Sequence, residues 1–139
     1  MRFGKTELSV SRVALGGIPI ERLKMADAVN VVQGAIALGV NFIDTANGYS
    51  DSEEKIGYAI KGMPRDGFVI ASKSAARDKK TMLEHIDLSL SRLGLDYIDL
   101  YQLHNVSSVE AYNAVFDESG AFEGLIEIRS RTAAVQLHR

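Results

Sequence analysis

Cysteine and tryptophan are both missing from this 139-residue sequence. Without cysteine the chain can hold no disulfide framework, zinc–thiolate site or iron–sulfur cluster. Histidine is scarce. Only His85, His104 and His138 occur, and they do not form a metal-ligating spacing such as HExxH. No apolar run approaches the ~18 residues needed to span a bilayer. No continuous apolar stretch follows the basic N-terminus, so no secretory signal is expected and the cytoplasm is the expected compartment. Excess positive charge is absent too. The formal net charge is −2, which gives no electrostatic case for nucleic-acid binding. The one dense charge run, Arg77-Asp78-Lys79-Lys80, reads as a solvated loop.

What is present is ordinary for a globular chain: 46% hydrophobic and 24% charged residues, enough for one domain with a real core. Residues 2–11 pattern as a short hairpin with its turn at Gly4-Lys5-Thr6. Val13-Ala14-Leu15 is a short apolar run closed by Gly16-Gly17, and Pro19 bars regular pairing from continuing. Helical spacing runs from about Ala26 to Leu38, with Gly39 at the stop. Phe42-Ile43-Asp44 and Phe68-Val69-Ile70-Ala71 are further buried-strand candidates, separated by a helix that Asp51 or Ser52 can cap and that ends near Lys61. Thr81 to Leu93 is the clearest helix, with Thr81 and Glu84 as a capping box and Gly94 as its end. Tyr97 to Leu103 is a fourth strand. Residues 109–116 and 122–128 pattern as helices around a turn near Ser119-Gly120. Alternation of this kind implies a parallel α/β sheet, either doubly wound or a (β/α)8 barrel. No GxGxxG loop supports a dinucleotide-binding doubly wound sheet.

The polar residues that follow the strands carry the chemistry. Asp44 ends the second strand and Tyr49 stands in its loop. Lys73 ends the third strand and His104 the fourth. In a parallel barrel all such ends meet at one mouth. Singly, each has a plain structural explanation as a cap, a packing ring, a solvated cation or a satisfied histidine. Together they suit carbonyl reduction. Tyr49 can donate a proton to the oxygen as hydride reaches the carbon. The Lys73 ammonium can favour the phenolate that remains, Asp44 can hold Lys73, and His104 can orient the carbonyl oxygen.

Longer motifs carry a family resemblance. Phe42-Ile43-Asp44-Thr45-Ala46-Asn47-Gly48-Tyr49 with Ser52-Glu53, then Ile70-Ala71-Ser72-Lys73, then Leu90-Ser91-Arg92-Leu93-Gly94 leading through Asp96-Tyr97 to Leu103-His104, together resemble the aldo-keto reductases. The opening Arg2-Phe3-Gly4-Lys5-Thr6 resembles that family's bottom-sealing hairpin, and the likeness extends from residue 1 to about residue 128. The loop motifs resemble those of bacterial and archaeal members, some of which carry a C-terminal ferredoxin-like domain. The resemblance implies a (β/α)8 barrel, NADPH as hydride donor, and an aldehyde or ketone as substrate. It also implies a catalytic tetrad of Asp44, Tyr49, Lys73 and His104. By position, Gly17 and Ile18, with Asp44, are implied to lie near the nicotinamide, where a glycine lets a ligand approach closely.

A full barrel needs at least ~200 residues, so residues 1–139 are expected to form a single half barrel of four strand–helix units behind the hairpin, lacking the loops that would hold the cofactor phosphates. Residues 129–139 no longer resemble the family and are an atypical tail, in which Ala133 to Leu137 fit either a strand or a helix extension. Open strand edges invite association, so a homo-oligomer is expected. Two functions from different classes follow. One is an NADPH-dependent carbonyl reductase impaired by truncation. The other is a catalytically inactive half-barrel acting as an oligomeric scaffold. A module that holds an anion on Lys73 and His104 ranks below both.

Overall fold

The computed structural model describes residues 1–131, and for Arg131 the backbone alone. The expectations for Ala133 to Leu137 lie outside the described residues.

Four short strands, β1 (Leu15–Gly16), β2 (Phe42–Asp44), β3 (Val69–Ser74) and β4 (Leu100–Leu103), form one sheet in the order β1-β2-β3-β4. Every pairing is parallel. The connections are α1 (Met25–Ala37), α2 (Ser52–Ile60) and α3 (Lys79–Leu93), followed after β4 by α4 (Val109–Val115) and α5 (Ala121–Arg131). Ile43, Ile70 and Ile98 are fully buried beneath Val32, Ile56, Ile86 and Leu125 from the helices. Each such side chain contributes about 1.5–3 kcal/mol on leaving water.

Register fixes which side chains share a face. Asp44 lies opposite Ala71, and Lys73 opposite Gln102. Side chains alternate along a strand, so Asp44, Ala71, Lys73, Gln102 and, two residues on, His104 are in phase on one face. Ile43, Ile70, Ser72, Ser74 and Tyr101 are in phase on the other, beneath the helices.

Several local expectations shift. The N-terminal hairpin is reduced to a single antiparallel bridge, Arg2 with Ser9. Its turn is closed by the Phe3 amide donating to Leu8 O at 2.9 Å, and Phe3 packs on Phe42 with ring centroids 5.2 Å apart. The first strand is Leu15–Gly16 and not residues 13–15. The chain then enters a 3-10 turn, Ile18–Arg22, with Pro19 in its first turn. α3 begins at Lys79, two residues before Thr81, because Asp78 and not Thr81 is its cap. Asp78 Oδ1 accepts from the Thr81 amide at 2.9 Å. Capping also holds the Asp78 carboxyl below the usual carboxylate range, chiefly through the Thr81 backbone N–H. The α2 N-terminus has no side-chain cap bond from Asp51. Instead Asp51 Oδ1 accepts from Lys55 Nζ at 2.7 Å.

The fourth strand starts at Leu100 and not at Tyr97. Arg65 explains the delay. Its guanidinium stacks 3.9 Å over the Tyr97 ring, donates to Tyr97 O at 3.2 Å, and donates to Asp99 Oδ2 at 2.5 Å. Ile98 already bridges and the Asp99 amide donates to the Ile70 carbonyl at 3.1 Å, but the ties of Tyr97 and Asp99 to the turn Arg65–Gly67 accompany a break in continuous pairing before Leu100.

The run Arg77 to Lys80 is not simply solvated. Arg77 is half-buried, Asp78 caps α3, and Lys79 pairs with Glu127 of α5. Asp78 and Lys80 are exposed as expected, Lys80 with 86% of its side chain in solvent.

Candidate active site

Lys73 stands at the centre of the strand-end cluster. Its Nζ donates to Asp44 Oδ2 at 2.7 Å and to the Thr45 carbonyl at 2.7 Å. The side chain is 13% exposed, against 36% for Asp44, so the cation is largely withdrawn from water while its carboxylate partner faces the mouth. From the neighbouring strand, Gln102 Nε2 makes a longer contact of 3.4 Å to Asp44 Oδ1. The two carboxylate oxygens therefore have different partners, which sets the plane of the group.

Tyr49 reaches this cluster through a tight loop. The Asn47 amide donates to the Lys73 carbonyl at 2.9 Å, extending the β2–β3 ladder past Asp44. The Tyr49 amide then donates to Ala46 O at 3.0 Å, and Ser50 follows with φ of +43°, turning the chain toward α2. The result puts the Lys73 ammonium 4.8 Å from the Tyr49 ring centroid, over its face, a favourable cation–π geometry. His104 meets the same ring edge-on, with centroids 5.7 Å apart and an interplanar angle of 83°. The four residues expected from sequence thus converge: the ion pair Asp44–Lys73, the ring of Tyr49 over the cation, and the imidazole of His104 beside that ring.

The electrostatics favour a neutral imidazole. Burial pushes the His104 pKa down, and the Lys73 charge lowers it further. Asp44 opposes both, and Arg77 adds a smaller lowering. A neutral imidazole has one N–H donor and one acceptor nitrogen.

The cluster is supported from the helix side. Glu53, only 1% exposed, accepts from Ser72 Oγ at 2.7 Å, one residue before Lys73. Arg92 donates to Glu53 Oε2 at 3.4 Å and to the Asn47 carbonyl at 3.0 Å. Asn47 Nδ2 in turn donates to the His85 carbonyl of α3 at 3.2 Å. A buried charge is costly unless paired and hydrogen-bonded, and these contacts satisfy Glu53 while anchoring the Tyr49 loop. Behind the sheet Tyr101 is buried, and desolvation pushes its hydroxyl well above the usual phenol range. It faces Ser89 Oγ at 3.2 Å, away from the mouth.

Gly17 and Ile18 stand at the adjoining end of β1. The Gly17 amide donates to the Asp44 carbonyl at 2.7 Å. Gly17 is buried, and a Cβ there would lie 2.7 Å from Ser52 Oγ and 2.9 Å from Thr45 Oγ1. The space left by its missing side chain is therefore taken by these two hydroxyls rather than opened to a ligand. Ile18 is 49% exposed.

Gln102, Arg92 and Arg77 were not anticipated as parts of the site. Gln102 was legible, because it stands two residues before His104 and in register with Lys73. The arginines act through carbonyls of distant loops, a relation that spacing does not encode.

Comparisons with known proteins bear on the family and the fold. The family model described as Aldo/keto reductase family matches residues 12–127. An L-galactose dehydrogenase of Arabidopsis thaliana is 36% identical over 121 residues, covering 74% of this chain and 37% of that protein. An NADH-specific methylglyoxal reductase of Escherichia coli is 31% identical over 130 residues, covering 73% and 40%. Among solved structures, an aldo-keto reductase from Bacillus halodurans in its holo form superposes with a TM-score of 0.79 at 25% identity, covering 97% of this chain and 47% of that one. A Bombyx mori aldo-keto reductase in complex with NADP gives 0.67 at 25% identity, covering 88% and 44%.

The chain belongs to the aldo/keto reductase family. Its fold is the first half of that family's (β/α)8 barrel behind an N-terminal hairpin, and the chain spans less than half the length of the curated relatives it matches.

Proposed function

We propose that these residues are the catalytic tetrad of an NADPH-dependent reductase acting on an aldehyde or ketone. The observation that carries this reading is the position of Lys73 Nζ, 2.7 Å from the Asp44 carboxylate and 4.8 Å from the centre of the Tyr49 ring.

NADPH, when bound, supplies the hydride that adds to the carbonyl carbon. The half-exposed Asp44 carboxylate keeps acceptor capacity beyond its bonds to Lys73 and Gln102. Ile18 offers apolar surface beside it, and Gly17 ties the two through its bond to the Asp44 carbonyl. This mixed polar and apolar rim suits the nicotinamide end of the cofactor, with Asp44 and Ile18 lining it and the buried Gly17 holding Ile18 in place behind them. The preference for NADPH over NADH rests on family resemblance.

The chain's own groups handle the proton. His104, neutral, donates a hydrogen bond to the carbonyl oxygen and fixes its direction. Tyr49 Oη gives that oxygen its proton, so an alcohol forms and a phenolate remains. The Lys73 ammonium over the ring stabilises the phenolate, and Asp44 with the Thr45 carbonyl keeps the ammonium in place. Solvent then returns the proton to Tyr49. Reduced nicotinamide cofactor is available in the cytoplasm, the compartment consistent with this reading.

The test is an NADPH binding isotherm on the 139-residue chain, with NADH in parallel and Lys73→Met as control, followed by assays on aldehydes and ketones. Saturable binding weakened by the substitution, with turnover lowered about 10²–10⁴-fold by Tyr49→Phe as befits loss of a general acid, is the expected result. No saturable binding up to millimolar cofactor would overturn the reading for this chain and favour the inactive-scaffold alternative.

A further inference from the structure

Arg77 was expected to sit in a solvated loop, yet it makes more side-chain hydrogen bonds to loop carbonyls than any residue of the tetrad. Its Nη1 donates to Ala75 O at 2.9 Å, to Ala76 O at 3.2 Å and to His104 O at 3.1 Å. Its Nη2 donates to His104 O at 3.1 Å and to Asn105 O at 2.9 Å. One planar cation therefore joins the loop that follows β3, two residues beyond Lys73, to the loop that follows β4 at His104 itself.

The base of this side chain is fixed. The Arg77 carbonyl accepts from the Ala121 amide at 3.0 Å, and the adjacent Asp78 forms an antiparallel bridge with Gly120. The far end needs holding. Asn105 adopts φ of +55°, a left-handed conformation that side-chain-bearing residues avoid, although Asn tolerates it best. That kink follows directly after His104 and turns the chain away from the strand direction. The His104 amide is the last rung of the sheet, donating to Ser74 O at 2.9 Å. Beyond that rung, Arg77 binds the two carbonyls on either side of the kink.

We infer that Arg77 is a positioning residue whose guanidinium fork clamps the β3 and β4 end loops together and so holds His104 against Tyr49. The inference rests on the carbonyl-reductase reading for its functional meaning, but the clamp itself is a structural property. A lysine cannot replace it, since a single ammonium lacks the wide planar fork of donors that reaches these four carbonyls. The role is not that of a simple surface charge.

The experiment compares wild type, Arg77→Ala and Arg77→Lys by NMR, with the His104 ring resonances assigned through His104→Gln. Two readouts report geometry without turnover: nuclear Overhauser contacts between the Tyr49 and His104 rings, and hydrogen-exchange protection of the His104 amide relative to the Ile43 amide. The expected result is loss of the ring contacts and a roughly tenfold or greater fall in His104 protection in Arg77→Ala. Ile43 stays protected, Arg77→Lys behaves like Arg77→Ala, and added guanidinium ion partly restores protection in Arg77→Ala. Unchanged ring contacts and protection in Arg77→Ala would overturn the inference. If Arg77→Ala does not fold, the same measurement on Arg77→Lys decides, and wild-type behaviour there would overturn it. Where wild type reduces a carbonyl, Arg77→Lys raises the carbonyl KM with little change in cofactor affinity. Absence of turnover in wild type counts against the reductase reading alone, because the NMR result stands independently of it.

Discussion

His104 is the residue at which local environment and chemistry meet most directly. Burial and the nearby Lys73 charge both push its pKa down, against the pull of Asp44. Its titration midpoint is therefore expected below the ~6.5 of an ordinary histidine. Lys73→Met should raise it, because the substitution removes a repelling cation and leaves the Asp44 carboxylate unpaired. Titration of the His104 ring by NMR in both proteins checks this, and a midpoint that fell or stayed fixed in the variant would show the shift has another source. The sign carries into stability. A group whose folded pKa is depressed contributes stability that is present above its unfolded pKa and lost as pH falls through the folded value. Below neutrality the chain should thus lose stability through His104, and His104→Gln should flatten that part of the profile. The candidate cluster of Asp44, Tyr49, Lys73 and His104 was legible in the sequence because all four residues belong to motifs tied to strand ends, where the topology does the gathering. Arg77 was not, because its partners are main-chain carbonyls, which every residue possesses and no motif distinguishes.

At the scale of elements, the helix layer depends on close approach as much as on apolar area. Gly57 in α2 faces the C-terminal end of α3, where a Cβ would lie 2.6 Å from Arg92 O and 2.8 Å from Leu93 O. Both obstacles are backbone atoms at a helix end whose next residue, Gly94, holds a left-handed φ of +65°. They cannot rotate aside as a side chain would. Helix propensity alone predicts that Gly57→Ala stabilises α2 by about 1 kcal/mol, but overpacking costs typically about 1–3 kcal/mol. The contact distance decides between them, and Gly57→Ala is expected to destabilise. Urea unfolding of the two proteins measures the difference, and a higher midpoint for the variant would mean the helices can separate freely. Sequence periodicity found α1, α2 and α3 and their apolar faces, since a 3.6-residue pattern survives any tertiary context. It misplaced the starts of α3 and β4 because those boundaries are set by single long-range or capping contacts, Asp78 to the Thr81 amide and Arg65 to Asp99. Nor could it distinguish a helix end from a near-collision with its neighbour.

At the scale of the whole molecule, the sheet has two outer strands, β1 and β4, and among the described residues nothing pairs with their outer edges. Parallel sheets are ordinarily covered on both faces. Here the helices cover one face, while the face bearing Asp44, Lys73 and Gln102 is covered by no helix of the described chain. On the surface nearby in sequence to β4, α4 leaves Val109 71%, Tyr112 56% and Phe116 46% exposed. Unpaired edges and contiguous apolar surface both favour association. The 139-residue chain purified by itself is therefore expected to self-associate, with a twofold pairing of β4 edges as the simplest closed arrangement. Sedimentation across a hundredfold concentration range should give a weight-average mass that rises above the 15.2 kDa of one chain. Adding a charge on the exposed apolar surface should lower it again, and Val109→Lys is the substitution of choice because Val109 is 71% exposed on α4 and lies outside the core. A compact species of one-chain mass at every concentration would show instead that the exposed face is stable in water. The proposed tetrad would then act from an open half of a barrel.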